Sequence, residues 1–305
     1  MEKFKKLVQL GPVGMEPWAQ EELKQYAEEI VTNDTVPVSD DEVVSMIGDA
    51  DAVLLRPKPV LTKEILARVP NVKYIGMCCS LYSKESANVD IDFAQDHGMT
   101  VTGIRDYGDE GVVEYVIYQL VRILHGYDFP RWKERPLEIT GLKVGFVGLG
   151  TSGGMTAEAL QFLGADIGYF ARGPKPEREE QGMRYMELRD LLSWADVVVT
   201  CLNKNTILLH EEEFEALGNG KIMFNTSIGP ASDSAALKAW ISNPDNIFCC
   251  DTEDALGDLY EDVKDLPNVV CVRHSAGMTD QSFDRLSQKV LDNIQGYFAG
   301  KDFRL

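Results

Sequence analysis

No stretch of about 18 consecutive apolar residues occurs in this chain, so no membrane-spanning helix is expected. The six cysteines, Cys78, Cys79, Cys201, Cys249, Cys250 and Cys271, include no C-x-x-C pair. That argues against a zinc knuckle or a thioredoxin motif, and no metal site is expected. Most of them sit in apolar, strand-like runs and read as reduced core residues, which fits a cytoplasmic protein. Basic residues are in short supply: 30 Lys and Arg stand against 49 Asp and Glu, for a formal net charge of −19. A chain this acidic repels nucleic acid and anionic membranes at long range, so neither is an expected partner. An anionic ligand would need a local positive pocket. The opening MEKFKKLVQLGPVG is basic, but Gly11 and Pro12 interrupt its apolar run, and it does not read as a signal peptide. Histidine is scarcer still, with only His97, His125, His210 and His274.

What is present centres on KVGFVGLGTSGGMTAEAL, residues 143–160. The run from Val144 to Gly148 is apolar or Gly, as in a buried parallel strand. Gly148-Leu149-Gly150-Thr151-Ser152-Gly153 then supplies G-x-G-x-x-G, and a helix-forming stretch follows. Strand, glycine turn and helix start are the parts of a dinucleotide-binding unit. The glycines let the backbone turn sharply and a pyrophosphate approach, and the helix N-terminus meets that charge with free N–H groups. An NAD-specific unit carries an acid at the end of its second strand, about 20 residues on, for the ribose hydroxyls. Here Phe170 is followed by Ala171-Arg172-Gly173-Pro174-Lys175. Loss of the acid and gain of Arg172 favour NADP(H), with NAD(H) the alternative.

The 305 residues suffice for two ordinary domains. In order, the pattern predicts a strand at 7–10, a helix at 15–30, a helix at 40–46 and a strand at 52–55. A helix led by Thr62 runs to Ala67, and a strand spans 72–77. A helix at 90–97 stops at Gly98, and a strand follows at 100–102. Asp109 is expected to cap the next helix, which Gly126 ends. In the second half, strands are expected at 166–170, 197–202, 221–225, 246–250 and 269–272. Helices are expected at 188–194, 211–217 and 235–241, and a final one from Thr279. This alternation implies parallel sheets with helices on both faces.

The ordered motifs resemble the D-isomer-specific 2-hydroxyacid dehydrogenase family over nearly the whole chain. Asn88-Val89-Asp90 resembles the family's N-[IV]-D step, and 141–150 is similar to its G-K-x-V-G-I-x-G-L-G. Asn225-Thr226-Ser227 with Gly229-Pro230 resembles N-T-A-R-G-P. His274-Ser275-Ala276-Gly277-Met278-Thr279 resembles H-I-A-G-A-T. The resemblance implies an α/β protein of two doubly wound parallel-sheet domains, a Rossmann cofactor domain inserted in a flavodoxin-like substrate domain. Residues 1–115, completed by 280–305, would form the substrate domain, and 116–279 the dinucleotide-binding domain. It also implies a homodimer, a small-molecule substrate, and an active site in the cleft between domains.

The same resemblance assigns residues. Gly148, Gly150, Thr151, Ser152 and Gly153 would hold the pyrophosphate, Asp251 would sit by the nicotinamide amide, and Thr226 and Ser227 would pass near the ring. His274 would be the acid/base that protonates a carbonyl oxygen during hydride transfer, a task suited to imidazole. Two family partners are missing. Ile228 stands where the family has its substrate-binding Arg, and Leu256 where it has the Glu that charges the His. Arg105 or Arg273 could replace the cation, and Glu253 or Asp254 the acid. These losses leave a second reading open, a catalytically degenerate dinucleotide-binding sensor or interaction protein.

Overall fold

The computed structural model describes residues 2–204 and 206–305. They form two compact units: one runs to Tyr107 and is completed by Thr279–Leu305, and the other is Gly108–Met278.

The first unit holds five strands, β1 (Phe4–Gln9), β2 (Ala27–Thr32), β3 (Ala52–Leu55), β4 (Tyr74–Ser80) and β5 (Thr100–Ile104). They pair in parallel in the order β2-β1-β3-β4-β5, the flavodoxin-like order. Every residue of β3 is buried, as a parallel strand covered on both faces requires. On one face Val8, Val53, Leu55, Ile75 and Met77 meet Val43, Ile47 and Ile65 from the helices. On the other, Leu7, Leu54 and Tyr74 meet Leu286, Val290, Leu291 and Ile294 of the final helix, Asp280–Phe298. Thr279 caps that helix, accepting from Ser282 N–H at 3.2 Å.

The sequence pattern predicts one helix over 15–30, and here the structure differs. The helix is only Pro17–Leu23, and Ala27–Thr32 is the edge strand β2. Glu, Gln and Ala favour helix by only a few tenths of a kcal/mol per residue. Burial of Tyr26 and Ala27, and a ladder against β1 from Phe4↔Ala27 to Gln9↔Thr32, outweigh that preference.

The second unit holds β6 (Lys143–Val147), β7 (Asp166–Phe170), β8 (Arg184–Tyr185), β9 (Val197–Thr200), β10 (Ile222–Asn225), β11 (Ile247–Cys250) and β12 (Val269–Cys271). Their order is β12-β11-β10-β9-β6-β7-β8. Counted from β6 this is the Rossmann order with one strand added, and the chain reverses direction across the sheet between β6 and β9. Ligands of such sheets bind beyond the carboxyl ends of the strands at that reversal.

The helix Asp109–His125 lies wholly in this unit, so the domain boundary expected at 115/116 falls inside it. Its Tyr115, Val116, Leu120, Ile123 and Leu124 pack with Val144, Phe146 and Phe224. Gly126 ends it in the left-handed conformation (φ 75°), donating to Arg122 O at 3.0 Å. Among the described residues no helix is long and apolar enough to cross a membrane.

Candidate coenzyme and catalytic site

The glycine turn lies between β6 and the helix Thr151–Phe162. Gly148 has φ +93°, and a Cβ there would lie 2.5 Å from Cys201 O. Only glycine fits both constraints. A Cβ on Gly153 would come within 2.8 Å of Gly148 O and 3.2 Å of Cys201 Cβ. Gly153 therefore lets the helix pack down on the turn. A Cβ on Gly150 would meet nothing within 4 Å, so the space that side chain would fill is open. Among the described residues no side chain caps this helix, although Gly154 N–H already donates to Gly150 O at 2.8 Å. A cradle without side chains beside uncapped helix N–H groups fits a diphosphate.

Thr151 is exposed at the helix start. Ser152 donates its hydroxyl to the buried carboxylate of Asp109. The sequence pattern predicts Asp109 as the cap of its own helix. Gly108 occupies the cap position instead, and Asp109 lies within the first turn. Its tie to Ser152 spans 43 positions and has no local sequence signal.

At the end of β7 the ribose-binding acid is replaced by Ala171. Arg172 is exposed and makes no hydrogen bond or ion pair among the described residues. The nearby Arg178 is engaged elsewhere, pairing with Glu158 and donating to Gln181 Oε1 at 3.1 Å.

Asn225, at the end of β10, is a hub that the motif alone did not reveal. It is buried, donating to Gly229 O and Ala255 O, both at 3.1 Å, and accepting from Thr200 Oγ1 and Ser227 N, both at 2.9 Å. Thr226 donates to Thr200 O at 2.9 Å, and Ser227 Oγ accepts from Leu202 N–H at 2.9 Å. Both hydroxyls thus hold together the chain segments leaving β9 and β10. Ile228 follows with its side chain 53% exposed.

Asp251 directly follows β11. Its Oδ2 accepts from Ala276 N–H at 2.9 Å, and its carbonyl accepts from His274 N–H at 3.0 Å. Burial raises the carboxyl above the usual aspartate range, opposed by the Ala276 N–H. His274 is exposed, with Nδ1 3.1 Å from Val272 O. A carbonyl only accepts, so Nδ1 carries the proton and Nε2 is left for chemistry.

Two of the four stand-ins for the missing partners are engaged with each other. Arg273 Nε donates to Glu253 Oε1 at 2.8 Å. Among the described residues no hydrogen bond joins Asp254 to His274, and Leu256 is buried in the core. In the first unit, Arg105 donates to Leu81 O at 2.6 Å and Tyr82 O at 3.1 Å, and lies 5.5 Å from the Tyr82 ring centre.

The other histidines have structural partners. His97 stacks on Phe93 with centroids 3.9 Å apart, and His125 stacks on Tyr127 at 5.1 Å. His210 Nδ1 is 2.5 Å from Asp233 Oδ2, a contact that raises the imidazole pKa. A raised folded-state pKa gives stability that is full below the unfolded value of about 6.5 and is lost as pH rises through the folded value. An Asp233→Asn variant should therefore melt below the wild type at about pH 5.5 and converge with it by about pH 8.5. An equal gap in Tm at both pH values would remove this pair as the cause.

The family model for D-isomer specific 2-hydroxyacid dehydrogenase, catalytic domain, matches residues 10–304. A hydroxypyruvate reductase from Blautia hydrogenotrophica is 25% identical over 301 residues, covering 91% of each chain. The D-lactate dehydrogenase of Escherichia coli is 28% identical over 258 residues, covering 75% of this chain and 77% of its own. The apo structure of D-lactate dehydrogenase from Escherichia coli superposes with a TM-score of 0.80 at 23% identity, covering 98% of both chains. Together these matches span nearly the whole chain, the glycine turn and the final helix included, and the chain belongs to the D-isomer specific 2-hydroxyacid dehydrogenase family of NAD(P)-dependent oxidoreductases.

Proposed function

We propose that the protein interconverts the CH–OH and C=O groups of a 2-hydroxy/2-oxo acid or a related carbonyl compound, with His274 as acid/base. The observation that carries this reading is the placement of His274. It stands three residues past β12, exposed, with its main chain tied to Asp251 and its Nδ1 tied to Val272. The glycine turn leaves β6 at the same carboxyl end of the sheet.

When bound, the nicotinamide coenzyme supplies or accepts the hydride. The protein's own part is to position and to move a proton. Gly148, Gly150 and Gly153 leave room for a diphosphate, which Thr151 and Ser152 would help to hold. Asp251, held by Ala276 N–H, would hold the carboxamide, and Thr226 and Ser227 would lie by the ring. In reduction, Nε2 of the protonated His274 donates to the carbonyl oxygen, while Val272 O keeps Nδ1–H in place.

The coenzyme of choice in this reading is NADP(H), on the strength of the unpartnered Arg172 beside Ala171. A charge-assisted hydrogen bond is worth about 1.5–3 kcal/mol. Arg172→Ala should thus weaken NADPH binding by about tenfold or more and leave NADH binding nearly unchanged. Fluorescence titration measures both, and tighter binding of NADH by the wild type would overturn the preference.

Ile228 and Leu256 favour one other reading, a coenzyme-binding protein without turnover. A screen of 2-oxo acids and aldehydes with NADPH, followed by absorbance, separates the two. Tight NADPH binding with no substrate turned over would support the sensor. Tyr118 and Tyr127, 61% and 58% exposed near Ile117 and Val121, support a homodimer; a monomeric sedimenting mass would exclude it. Six unbridged cysteines support a cytoplasmic location.

A further inference from the structure

The last two strands of the second unit each end on a cysteine, and the parallel register sets Cys250 opposite Cys271. Register partners present their side chains to the same face of a sheet. Both cysteines accordingly pack into one core layer, whereas Cys249 packs into the opposite one. The two thiols therefore belong to directly paired positions on one side of the sheet. Cys250 is fully buried, while Cys271 is partly exposed on β12, a three-residue strand at the sheet edge. The neighbouring Cys250 thiol draws Cys271 below the usual thiol range, opposed by burial and helped by the Arg273 N–H. Cys250 is raised, by that same contact and by burial. One sulfur is a reachable nucleophile, and the other waits behind it.

Both cysteines run straight into the proposed catalytic segments. Asp251 follows Cys250, and His274 lies three residues past Cys271, with His274 N–H bonded to Asp251 O at 3.0 Å. We propose that Cys250 and Cys271 form a reversible disulfide, made by hydrogen peroxide and undone by thiols, that switches off the adjacent His274. The effect on turnover rests on the reading of His274 above; formation of the bond does not.

The chemistry balances. The Cys271 thiolate attacks peroxide, forming S–O as O–O breaks, and the departing hydroxide takes up a proton to become water. Cys250 then gives up its proton and attacks that sulfur, forming S–S as S–O breaks, and a second water leaves. Two thiols lose two electrons and one peroxide gains them. Neighbouring strands lie about 4.7–4.9 Å apart, inside the Cα span of about 4.4–6.8 Å that a disulfide tolerates. The Cβ atoms must close to about 3.5–4.5 Å, and β12, paired on one side only, is the strand free to move inward. Arg273, in a left-handed conformation (φ 64°), and His274 would move with it.

The test treats the full-length protein with an equivalent of hydrogen peroxide. The expected result is loss of the mass of two hydrogens, a proteolytic peptide joining Cys250 to Cys271, and reversal by dithiothreitol. Turnover should fall by about a hundredfold, the cost of a misplaced catalytic group, and return on reduction. Cys271→Ser should show neither the mass loss nor the inactivation. Addition of oxygen atoms to one cysteine, a link between other cysteines, or a linked protein with full turnover would each overturn the proposal. The wild-type peptide map decides the bond even if the serine variant folds poorly or no substrate is found.

Discussion

Replacing His274 by alanine is expected to lower turnover by about 10²–10⁴-fold while leaving NADPH affinity and Tm close to wild type. The side chain is exposed, and among the described residues its ring has one hydrogen-bond partner, Val272 O. Little folding stability depends on it. The main-chain link to Asp251 survives the substitution, since it uses the backbone N–H. A loss confined to kcat therefore isolates proton transfer. Steady-state kinetics with a coenzyme titration on the same sample gives the answer. Undiminished turnover would take His274 out of the mechanism. Equal losses of affinity and rate would make it a binding residue instead.

The second large effect belongs to Gly148. An alanine there would have to adopt φ +93° with its methyl 2.5 Å from Cys201 O. Backbone strain of this kind costs about 1–3 kcal/mol, and relief would push apart the ends of β6 and β9. Gly148→Ala should thus lower both Tm and NADPH affinity, the latter by about tenfold or more. Gly150→Ala is the paired control. A methyl group at Gly150 meets nothing within 4 Å in the protein itself, so the variant should fold normally and lose affinity only. If both variants melt lower but bind NADPH normally, the turn is structural and the diphosphate lies elsewhere.

Much of this architecture is legible in the chain because the information is local. Strand β7 coincides with the run expected at 166–170, and β3 with 52–55, since both are short apolar segments bounded by turns. The glycine turn is legible for the same reason. Ile228 and Leu256 stand out by their place in a motif, and the structure adds that one is exposed and the other buried in the core.

The elements that the chain does not spell out locally depend on distant partners. β2 is a strand because β1 lies beside it, against the leaning of its own Glu-rich composition. β8 has two residues, too few for any alternation, and exists through its pairing with Gly168 and Tyr169. The Asn225 hub reaches 30 positions to Ala255, and the Arg273–Glu253 pair reaches 20. No window of neighbouring residues encodes such contacts.

The final helix, Asp280–Phe298, has a bearing on how the chain is born. Its Leu286, Val290, Leu291 and Ile294 cover Leu7, Leu54 and Tyr74, yet they leave the ribosome more than 200 residues later, at a synthesis rate of about 5–20 residues per second. Gly108–Met278 is one uninterrupted stretch and can assemble as it emerges. The older N-terminal sheet must wait with one apolar side bare until that helix has been made. That interval is when a chaperone has something to hold, and when a premature stop before residue 280 would leave the nascent protein exposed to aggregation.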